Sequence, residues 1–214
     1  MHKRQLGKDG PMVGAVGLGC WSFAGSYGPT SEAESHATLA GALDLGIDFL
    51  DTSNVYGAGV SERVIGSFIK DHPGRFTIAT KGGIYRDPDT NVRGFNNSPE
   101  HLRQVLETSL KNLGVDHVEL YYIHRREKER PIEDVMETLV RFKDEGKIGG
   151  IGFSEIAPFS LRRAHAVHPV MAVQSEYSLW TRGPELGMIQ ACRELGTAFV
   201  PFSPLGRGMF AARP

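Results

Sequence analysis

The sequence is poor in cysteine and has no long apolar run. Its 214 residues include two cysteines, Cys20 and Cys192, which lie far apart and belong to no CxxC or zinc-type spacing. Neither a disulfide framework nor a structural metal site is therefore expected. The first residues are polar, without the apolar core of a signal peptide, and no run reaches the roughly 18 apolar residues that a membrane span requires. We therefore expect a cytoplasmic protein with reduced thiols.

The charge of the chain shows no excess of either sign. The 24 Lys and Arg residues stand against 25 Asp and Glu residues, which gives a formal net charge of -1. This balance provides no overall positive field for a nucleic acid or an anionic membrane. We therefore expect a small-molecule partner, with no nucleic acid and no membrane. The oligomeric state stays open, because helix faces alone do not separate packing within one subunit from a subunit contact.

Seven short apolar runs alternate with amphipathic stretches along the chain, after a start whose segment LGKDGPMV predicts a small hairpin. The runs are apolar on both faces, which is typical of parallel strands covered by helices. The predicted strands are residues 13–20, 47–53, 76–81, 118–124, 148–154, 170–176 and 197–203. Helix starts are indicated by a Ser-x-x-Glu capping pattern, by a Ser-Pro pair and by three further prolines. These signals lie at Ser31 with Glu34, Ser98 with Pro99, Pro131, Pro158 and Pro184.

Seven strand–helix units are more than a small doubly wound fold contains. Their number predicts an α/β fold of the (β/α)8 TIM-barrel type. We expect a single domain over 1–214. Only eleven residues follow Ser203, too few for the helix, strand and helix that complete eight units. An open seam exposes unpaired backbone and core surface, which is costly. We therefore expect a C-terminally incomplete barrel, either a fragment of a longer chain or one that stops at a mobile loop near Gly206. A complete seven-stranded barrel is the less favoured alternative.

Four titratable side chains occur at or just after consecutive predicted strand ends. Barrel enzymes place their reactive groups at this end of the strands. Asp51 ends the run FLD, Lys81 ends IATK, His124 ends YYIH, and Tyr56 follows Asp51 in the loop NVYGAG. Each alone has an ordinary explanation, such as a turn residue for Asp51 or a solvated loop lysine for Lys81. Four different titratable types at one rim are much harder to ascribe to chance.

These four groups have a plain chemical use in proton transfer. A phenol is a poor acid at neutral pH, and a nearby ammonium lowers its pKa. We expect Lys81 to act in this way on Tyr56, with Asp51 keeping the lysine charged and aimed. His124 is then available to hydrogen-bond a substrate carbonyl. None of the four delivers a hydride, so carbonyl reduction here requires a nicotinamide cofactor.

Six ordered motifs carry a family resemblance. They are FLDTSNVYGAGVSE, ATKGG, LYYIHR, GKIGGIGFSE, AVQSEYSLWTR and FVPFSPLGRG. The sequence resembles the aldo-keto reductase superfamily over residues 4–209, in particular its bacterial, plant and fungal branches with short rim loops. The resemblance implies that the catalytic tetrad falls on Asp51, Tyr56, Lys81 and His124. Tyr56 would be the general acid in reduction and the general base in oxidation.

The resemblance also implies a site for NADPH. Ser154 and Gln174 would contact the nicotinamide carboxamide, and Phe202 would stack on the ring where many relatives have tyrosine. The residues that would follow the pyrophosphate are Ser203, Leu205, Gly206 and Arg207. Those that would border the nicotinamide are Gly19, Cys20, Trp21 and Asp51. The given sequence does not include the segment that binds the adenosine 2'-phosphate in similar proteins. A preference for NADPH is therefore implied only by the usual cofactor of the family.

The expected substrate is an aldehyde or ketone of aromatic or apolar character. Its predicted contacts are Trp21, Tyr56, Tyr85, His124 and Arg125. One departure from the family pattern lies nearby, because Glu127 stands where related sequences commonly have aspartate. This change falls in a rim loop and leaves the tetrad intact.

Three other functions compete with a reductase that converts carbonyl compounds to alcohols. The first alternative is a cofactor-binding regulatory subunit that serves a partner, like the related β subunits of potassium channels, and an intact tetrad does not exclude it. A Schiff-base aldolase using Lys81 is disfavoured, because a lysine paired with Asp51 stays protonated. A metal hydrolase is disfavoured further, because no predicted strand carries an HxH pair and a single strand-end histidine offers too few ligands.

Overall fold

A computed structural model of the protein describes residues 1–87, 89–90 and 92–210. Seven parallel strands form the main sheet, and two short antiparallel hairpins accompany it. In chain order the strands are β1 (Lys3–Gln5), β2 (Met12–Gly14), β3 (Leu18–Gly19), β4 (Phe49–Asp51), β5 (Thr77–Gly82), β6 (Ile84–Arg86), β7 (Arg93–Phe95), β8 (Val118–Ile123), β9 (Ile148–Ser154), β10 (Ala172–Glu176) and β11 (Ala198–Phe202). The hairpins pair β1 with β2 and β6 with β7.

Six helices connect the strands of the sheet. They are α1 (Glu32–Asp44), α2 (Val60–Ile69), α3 (Pro99–Leu113), α4 (Ile132–Asp144), α5 (Pro158–Val167) and α6 (Met188–Leu195). Their ends follow the predicted signals. The Ser31 hydroxyl accepts the Glu34 amide while the Glu34 carboxylate accepts the Ser31 amide, which closes the capping box of α1. Ser98 caps α3 ahead of Pro99, and Gly114 ends that helix at a φ of 68°.

The strand order of the main sheet is β11-β10-β9-β8-β5-β4-β3, with every pair parallel. Each new strand is added beside the previous strand of this sheet, which is the winding of a (β/α)8 barrel. The predicted fold class is therefore confirmed. Within the described residues β3 and β11 are the two edges, and β11 is only partly buried where β8 and β9 are almost fully buried.

Two apolar clusters lie on opposite faces of this sheet. The larger one packs the helices against the strands and includes Leu50, Tyr121 and Val173. The smaller one fills the inner face and consists of Leu6, Val13, Phe49, Ala79, Leu120, Tyr122 and Ala172. Since Leu6 and Val13 belong to the amino-terminal hairpin segment, this hairpin covers the inner cluster from below. The opposite, carboxyl end of the strands is left for a site.

Parts of the predicted layout differ from the structure. The strand predicted over 13–20 is wrong in extent, because β2 belongs to the hairpin and only β3 joins the sheet. Gly17 between them packs so close to Phe49 that a Cβ atom would lie 2.7 Å from the ring. The helix predicted from Pro184 begins at Met188 instead, since residues 183–186 form a 3-10 turn and Gly187 has a φ of 144°. No helix among the described residues is long and apolar enough to span a membrane.

Candidate active site

Strand alternation places three of the predicted tetrad residues on one face. Successive strand residues point to opposite faces of a sheet. Phe49 of β4 and Ala79 of β5 belong to the inner cluster, so Asp51 and Lys81, each two residues further on, share that inner face at its carboxyl end. His124 follows Tyr122 of the inner cluster by two residues in the same way. The three side chains therefore converge because of strand register.

Tyr56 reaches the same place through a tight loop between β4 and α2. Three successive residues, Gly57, Ala58 and Gly59, have φ values of 60°, 49° and 83°, which turn the chain sharply into the helix. The loop is held from below, because the Ser61 hydroxyl donates to the Cys20 carbonyl at 2.8 Å and lies 2.9 Å from the Thr52 hydroxyl. The sequence DTSNVYGAGVSE thus folds back on its own strand and presents the tyrosine to the inner face.

Lys81 is the buried centre of the group. Its side chain is fully buried, and its ammonium donates to Asp51 Oδ1, to the Thr52 carbonyl at 2.8 Å and to the Tyr56 hydroxyl at 3.5 Å. Burial alone lowers the pKa of Lys81, but the carboxylate of Asp51 and the Tyr56 hydroxyl outweigh burial and raise it above its ordinary value. The lysine is therefore a fixed ammonium that a phenol oxygen contacts directly.

The pKa of Tyr56 differs from the expectation. Burial raises it above the ordinary 10.0, and the opposing attraction of Lys81 is not large enough to reverse this. Asp51 adds to the upward shift, because its negative charge disfavours a second anion nearby. The expected net lowering was therefore wrong for the protein alone, although Lys81 acts in the predicted direction. The Tyr56 hydroxyl keeps its proton at neutral pH.

His124 is neutral and held by a hydroxyl. Its ring packs edge-on to the Tyr56 ring with centroids 6.0 Å apart, and its Nδ1 lies 3.1 Å from the Ser53 hydroxyl. Burial, followed by the positive charges of Lys81 and Arg125, lowers the pKa of His124 to about 2. When Ser53 donates to Nδ1, the neutral ring carries its hydrogen on Nε2 and can donate it to a substrate oxygen.

Two predicted cofactor residues lie side by side beside the tetrad. Ser154 of β9 and Gln174 of β10 are register partners in the sheet. The Gln174 amide donates to Asp51 Oδ2 at 2.7 Å, and the Ser154 hydroxyl accepts from Arg125 at 2.9 Å. A hydroxyl and a primary amide at this spacing match the donor and acceptor of a carboxamide. Both side chains are buried at the edge of the cavity.

The segment after β11 forms the far wall of the site. Phe202 ends the strand, and Ser203, Gly206 and Arg207 all have left-handed φ values between 50° and 59°. Left-handed residues of this kind shape concave backbone turns that suit anions. The Arg207 guanidinium makes a two-point ion pair with Glu176, at 2.8 Å and 3.3 Å. This pairing was not expected from the sequence.

A cavity of about 1710 Å³ opens above the tetrad. It is wide enough for a dinucleotide together with a small substrate, since ordinary ligand pockets occupy roughly 300–1,000 Å³. The predicted site residues that line it are Gly19, Cys20, Trp21, Asp51, Tyr56, Tyr85, His124, Arg125, Ser154, Gln174, Phe202, Ser203 and Arg207. Three others lie outside its wall. Lys81 is buried beneath, and Leu205 and Gly206 are turned elsewhere.

Aromatic side chains form the mouth of this cavity. The Trp21 ring is about half exposed and lies 6.0 Å from the Tyr56 ring and 5.3 Å from the Tyr27 ring. The Tyr85 ring also lines the cavity and lies 5.8 Å from the His101 ring. Buried Cys20 lies next to Asp51, and burial raises the pKa of its thiol well above the ordinary value. Cys20 is therefore a small apolar wall residue without nucleophilic character.

Sequence reasoning missed several residues of the site. Ser53, which fixes the histidine ring, was part of the quoted DTS motif, and its signal was the hydroxyl two positions after a strand-end aspartate. Helix α2 also went unassigned, although Val64, Ile65 and Phe68 follow a helical apolar pattern. The β6–β7 hairpin gave no clear periodic signal.

Among the described residues no three His, Cys, Asp or Glu side chains are grouped as a metal site would require.

The fold and the site define a class of barrel proteins with a buried lysine–carboxylate pair beneath a tyrosine and a neutral histidine. The model of the family described as "Aldo/keto reductase family" matches residues 15–213. The chain belongs to this family.

Known relatives agree with this assignment. The chain is 43% identical over 213 residues to a probable aldo-keto reductase 1 of Glycine max, covering 98% of this chain and 61% of that protein. It is 44% identical over 210 residues to the aldo-keto reductase yakc [NADP(+)] of Schizosaccharomyces pombe, covering 96% of this chain and 61% of that one. The chain therefore spans about 61% of the length of these curated relatives.

A solved structure shares the architecture. The holo form of an aldo-keto reductase from Bacillus halodurans superposes with a TM-score of 0.91 at 28% identity. The match covers 100% of this chain and 70% of that one. The likeness therefore extends over the whole of the barrel described above.

Proposed function

We propose that the protein is an NADPH-dependent carbonyl reductase that converts aldehydes or ketones to alcohols. The observation that carries this proposal is the Lys81 ammonium, which joins Asp51 to the Tyr56 hydroxyl at the floor of a large cavity. A protonated phenol held next to a fixed cation is suited to give its proton to a developing alkoxide, because the cation stabilises the phenolate left behind.

In this reaction each residue has one task. A nicotinamide cofactor, when bound beside Ser154 and Gln174, would supply the hydride for the carbonyl carbon. The Tyr56 hydroxyl transfers its proton to the carbonyl oxygen, which completes the alcohol, and the resulting phenolate is then reprotonated from solvent. The neutral His124 donates a hydrogen bond to the same oxygen and orients it. Asp51 keeps Lys81 charged, and the ammonium stabilises the phenolate until it is reprotonated.

The wall of the cavity fits the cofactor. The paired Ser154 and Gln174 match a carboxamide, and Phe202 ends β11 on the same rim. The size of the cavity accommodates a dinucleotide. The name of the Schizosaccharomyces pombe relative, which specifies NADP(+), supports NADPH over NADH.

The structure disfavours the aldolase and offers no support for the regulatory subunit. A Schiff base requires an unprotonated lysine amine, whereas the Asp51 contact raises the pKa of Lys81. A cofactor-binding regulatory subunit with little turnover is favoured by no feature of the described residues.

The test is a Tyr56→Phe variant assayed with NADPH and 4-nitrobenzaldehyde. Loss of the proposed proton donor at the reacting oxygen is expected to lower kcat at least about 100-fold, the usual range for general acid catalysis. The affinity for NADPH, measured by the quenching of tryptophan fluorescence, is expected to stay within about twofold of the wild-type value because the aromatic ring remains.

Tyr177→Phe is the matched control. The Tyr177 hydroxyl donates to Glu185 outside the cavity, so this variant loses a phenol hydroxyl without touching the site. Unchanged turnover in Tyr56→Phe, with the control also active, refutes the proposed role of Tyr56.

A further inference from the structure

Three arginines, Arg86, Arg93 and Arg125, line the cavity on the β5–β8 side of the tetrad, and Arg86 is the register partner of Arg93 in the β6–β7 hairpin. Arg93 is the first residue of β7 and Arg125 directly follows His124, and both side chains border the cavity. Arg125 is oriented by its own contacts, since one guanidinium nitrogen donates to the His124 carbonyl at 2.6 Å and to the Ser154 hydroxyl at 2.9 Å. The Arg93 guanidinium lies 5.8 Å from the centre of the Phe95 ring.

A buried asparagine holds the two arginine-bearing segments together. Asn97, which follows β7, donates from its side chain to the Arg125 carbonyl at 3.2 Å. Its amide carbonyl accepts the Glu127 backbone N–H at 2.8 Å, and the Glu127 carboxylate accepts the Asn97 backbone N–H at 2.7 Å. These three hydrogen bonds fix the β6–β7 hairpin over the segment after β8. The β6–β7 hairpin that carries Arg93 is therefore fixed against the segment that carries Arg125.

An aromatic surface lies beside the arginines. The Tyr85 ring crosses the hairpin above Gly94, where a Cβ atom would lie 2.6 Å from the ring. Only glycine at position 94 lets the ring lie flat there. Tyr85 also lines the cavity and contacts His101. A substrate that extends from the tetrad toward the hairpin therefore meets both an aromatic ring and guanidinium groups.

The positive charge of this corner is incompletely compensated. Among the ion pairs of the described residues none includes Arg93 or Arg125. Burial lowers the pKa of Arg125, and repulsion from Arg93 lowers it further, while Glu155 opposes the shift. Arg207 on the opposite side of the cavity is different, because Glu176 neutralises it.

We infer that Arg93 and Arg125 form an anion subsite, and that the substrate is an aldehyde or ketone with a carboxylate at the end remote from the carbonyl. Guanidinium groups bind carboxylates by charge-assisted hydrogen bonds. The subsite follows β5 and β8, whereas residues 203–207 follow β11, and β9 and β10 separate the two regions in the sheet. The anion bound here is thus distinct from the pyrophosphate of the cofactor. This substrate assignment rests on the proposed reductase function.

The first test measures binding without turnover. The full chain is titrated calorimetrically, with no cofactor present, with 4-carboxybenzaldehyde and with its neutral methyl ester. The acid is expected to bind roughly tenfold more tightly than the ester, a gain typical of one charge-assisted contact. Arg93→Gln is expected to bring the two affinities within about twofold, whereas Arg193→Gln, an exposed arginine on α6, keeps the tenfold ratio.

The second test measures the same preference in catalysis and identifies the anion. In the NADPH assay the ratio of kcat/KM for the acid to that for the ester is expected to exceed unity and to fall roughly tenfold in Arg93→Gln. Equal affinities for acid and ester, an unchanged ratio in Arg93→Gln, or displacement of the acid by NADPH overturns the subsite. Absence of turnover with a retained acid preference in binding refutes the reductase proposal alone.

Discussion

Acid should destabilise this protein through one buried histidine. The His124 side chain is 8% exposed, and its pKa falls from the ordinary 6.5 to about 2 in the folded chain. At about pH 5 the unfolded chain binds a proton on this ring, whereas the folded chain does not. The difference of about 1.5 pH units below 6.5, at 1.36 kcal/mol per unit, amounts to about 2 kcal/mol. Stability from this group is complete above about pH 6.5 and is lost as the pH falls toward 2.

The assay is urea unfolding of the wild type and of His124→Asn at about pH 7.5 and pH 5. The variant lacks the titrating ring, so the wild type is expected to lose about 2 kcal/mol relative to the variant between the two values. His2→Asn, at the exposed amino terminus, is expected to unfold with the wild-type pH dependence. A wild type and a His124→Asn variant that lose equal stability on acidification would show that the ring is not held neutral in the folded chain.

Three further predictions concern the lysine, the tyrosine and the glycine after the lysine. Lys81→Met leaves the Asp51 carboxylate without its ammonium, so we expect a loss of about 3 kcal/mol in urea unfolding together with a large loss of turnover; unchanged stability would contradict the pairing. Alcohol oxidation with NADP+ needs the Tyr56 phenolate, and burial raises its pKa, so the oxidation rate is expected to climb with pH into the alkaline range while reduction stays flat between about pH 6 and 8. A maximum for oxidation near neutrality would refute that assignment. In Gly82→Ala the added Cβ atom would overlap the buried Tyr121 hydroxyl, which is expected to cost about 1–3 kcal/mol in thermal or urea unfolding. A stability equal to the wild type would contradict the close packing.

The strand ends of this fold are readable from sequence because they follow from local periodicity. Apolar runs identify the strands, alternation identifies the inner face, and the carboxyl end of each strand identifies the site. Asp51, Lys81 and His124 meet these conditions directly. Tyr56 lies in a loop, and the resemblance of NVYGAG to known motifs was needed to assign it.

Contacts between distant segments were not readable in the same way. The ion pair of Arg207 with Glu176 joins residues 31 positions apart, and the bond of Ser53 to His124 spans 71 positions. The β6–β7 hairpin depends on Gly94 lying beneath the Tyr85 ring. Each of these contacts depends on the relative positions of two segments that are distant in the sequence. A single sequence supplies the residues but no distances.

The direction of the Tyr56 pKa shift shows why distances decide chemistry. From residue types alone, a lysine beside a tyrosine predicts a lowered phenol pKa. In the structure the phenol is buried, and its oxygen lies 3.5 Å from the Lys81 ammonium, which is also paired with Asp51. Burial disfavours the phenolate more than this shared cation favours it, so the protein alone holds a protonated tyrosine. A site in this state is set to donate a proton, as the proposed reduction requires at neutral pH.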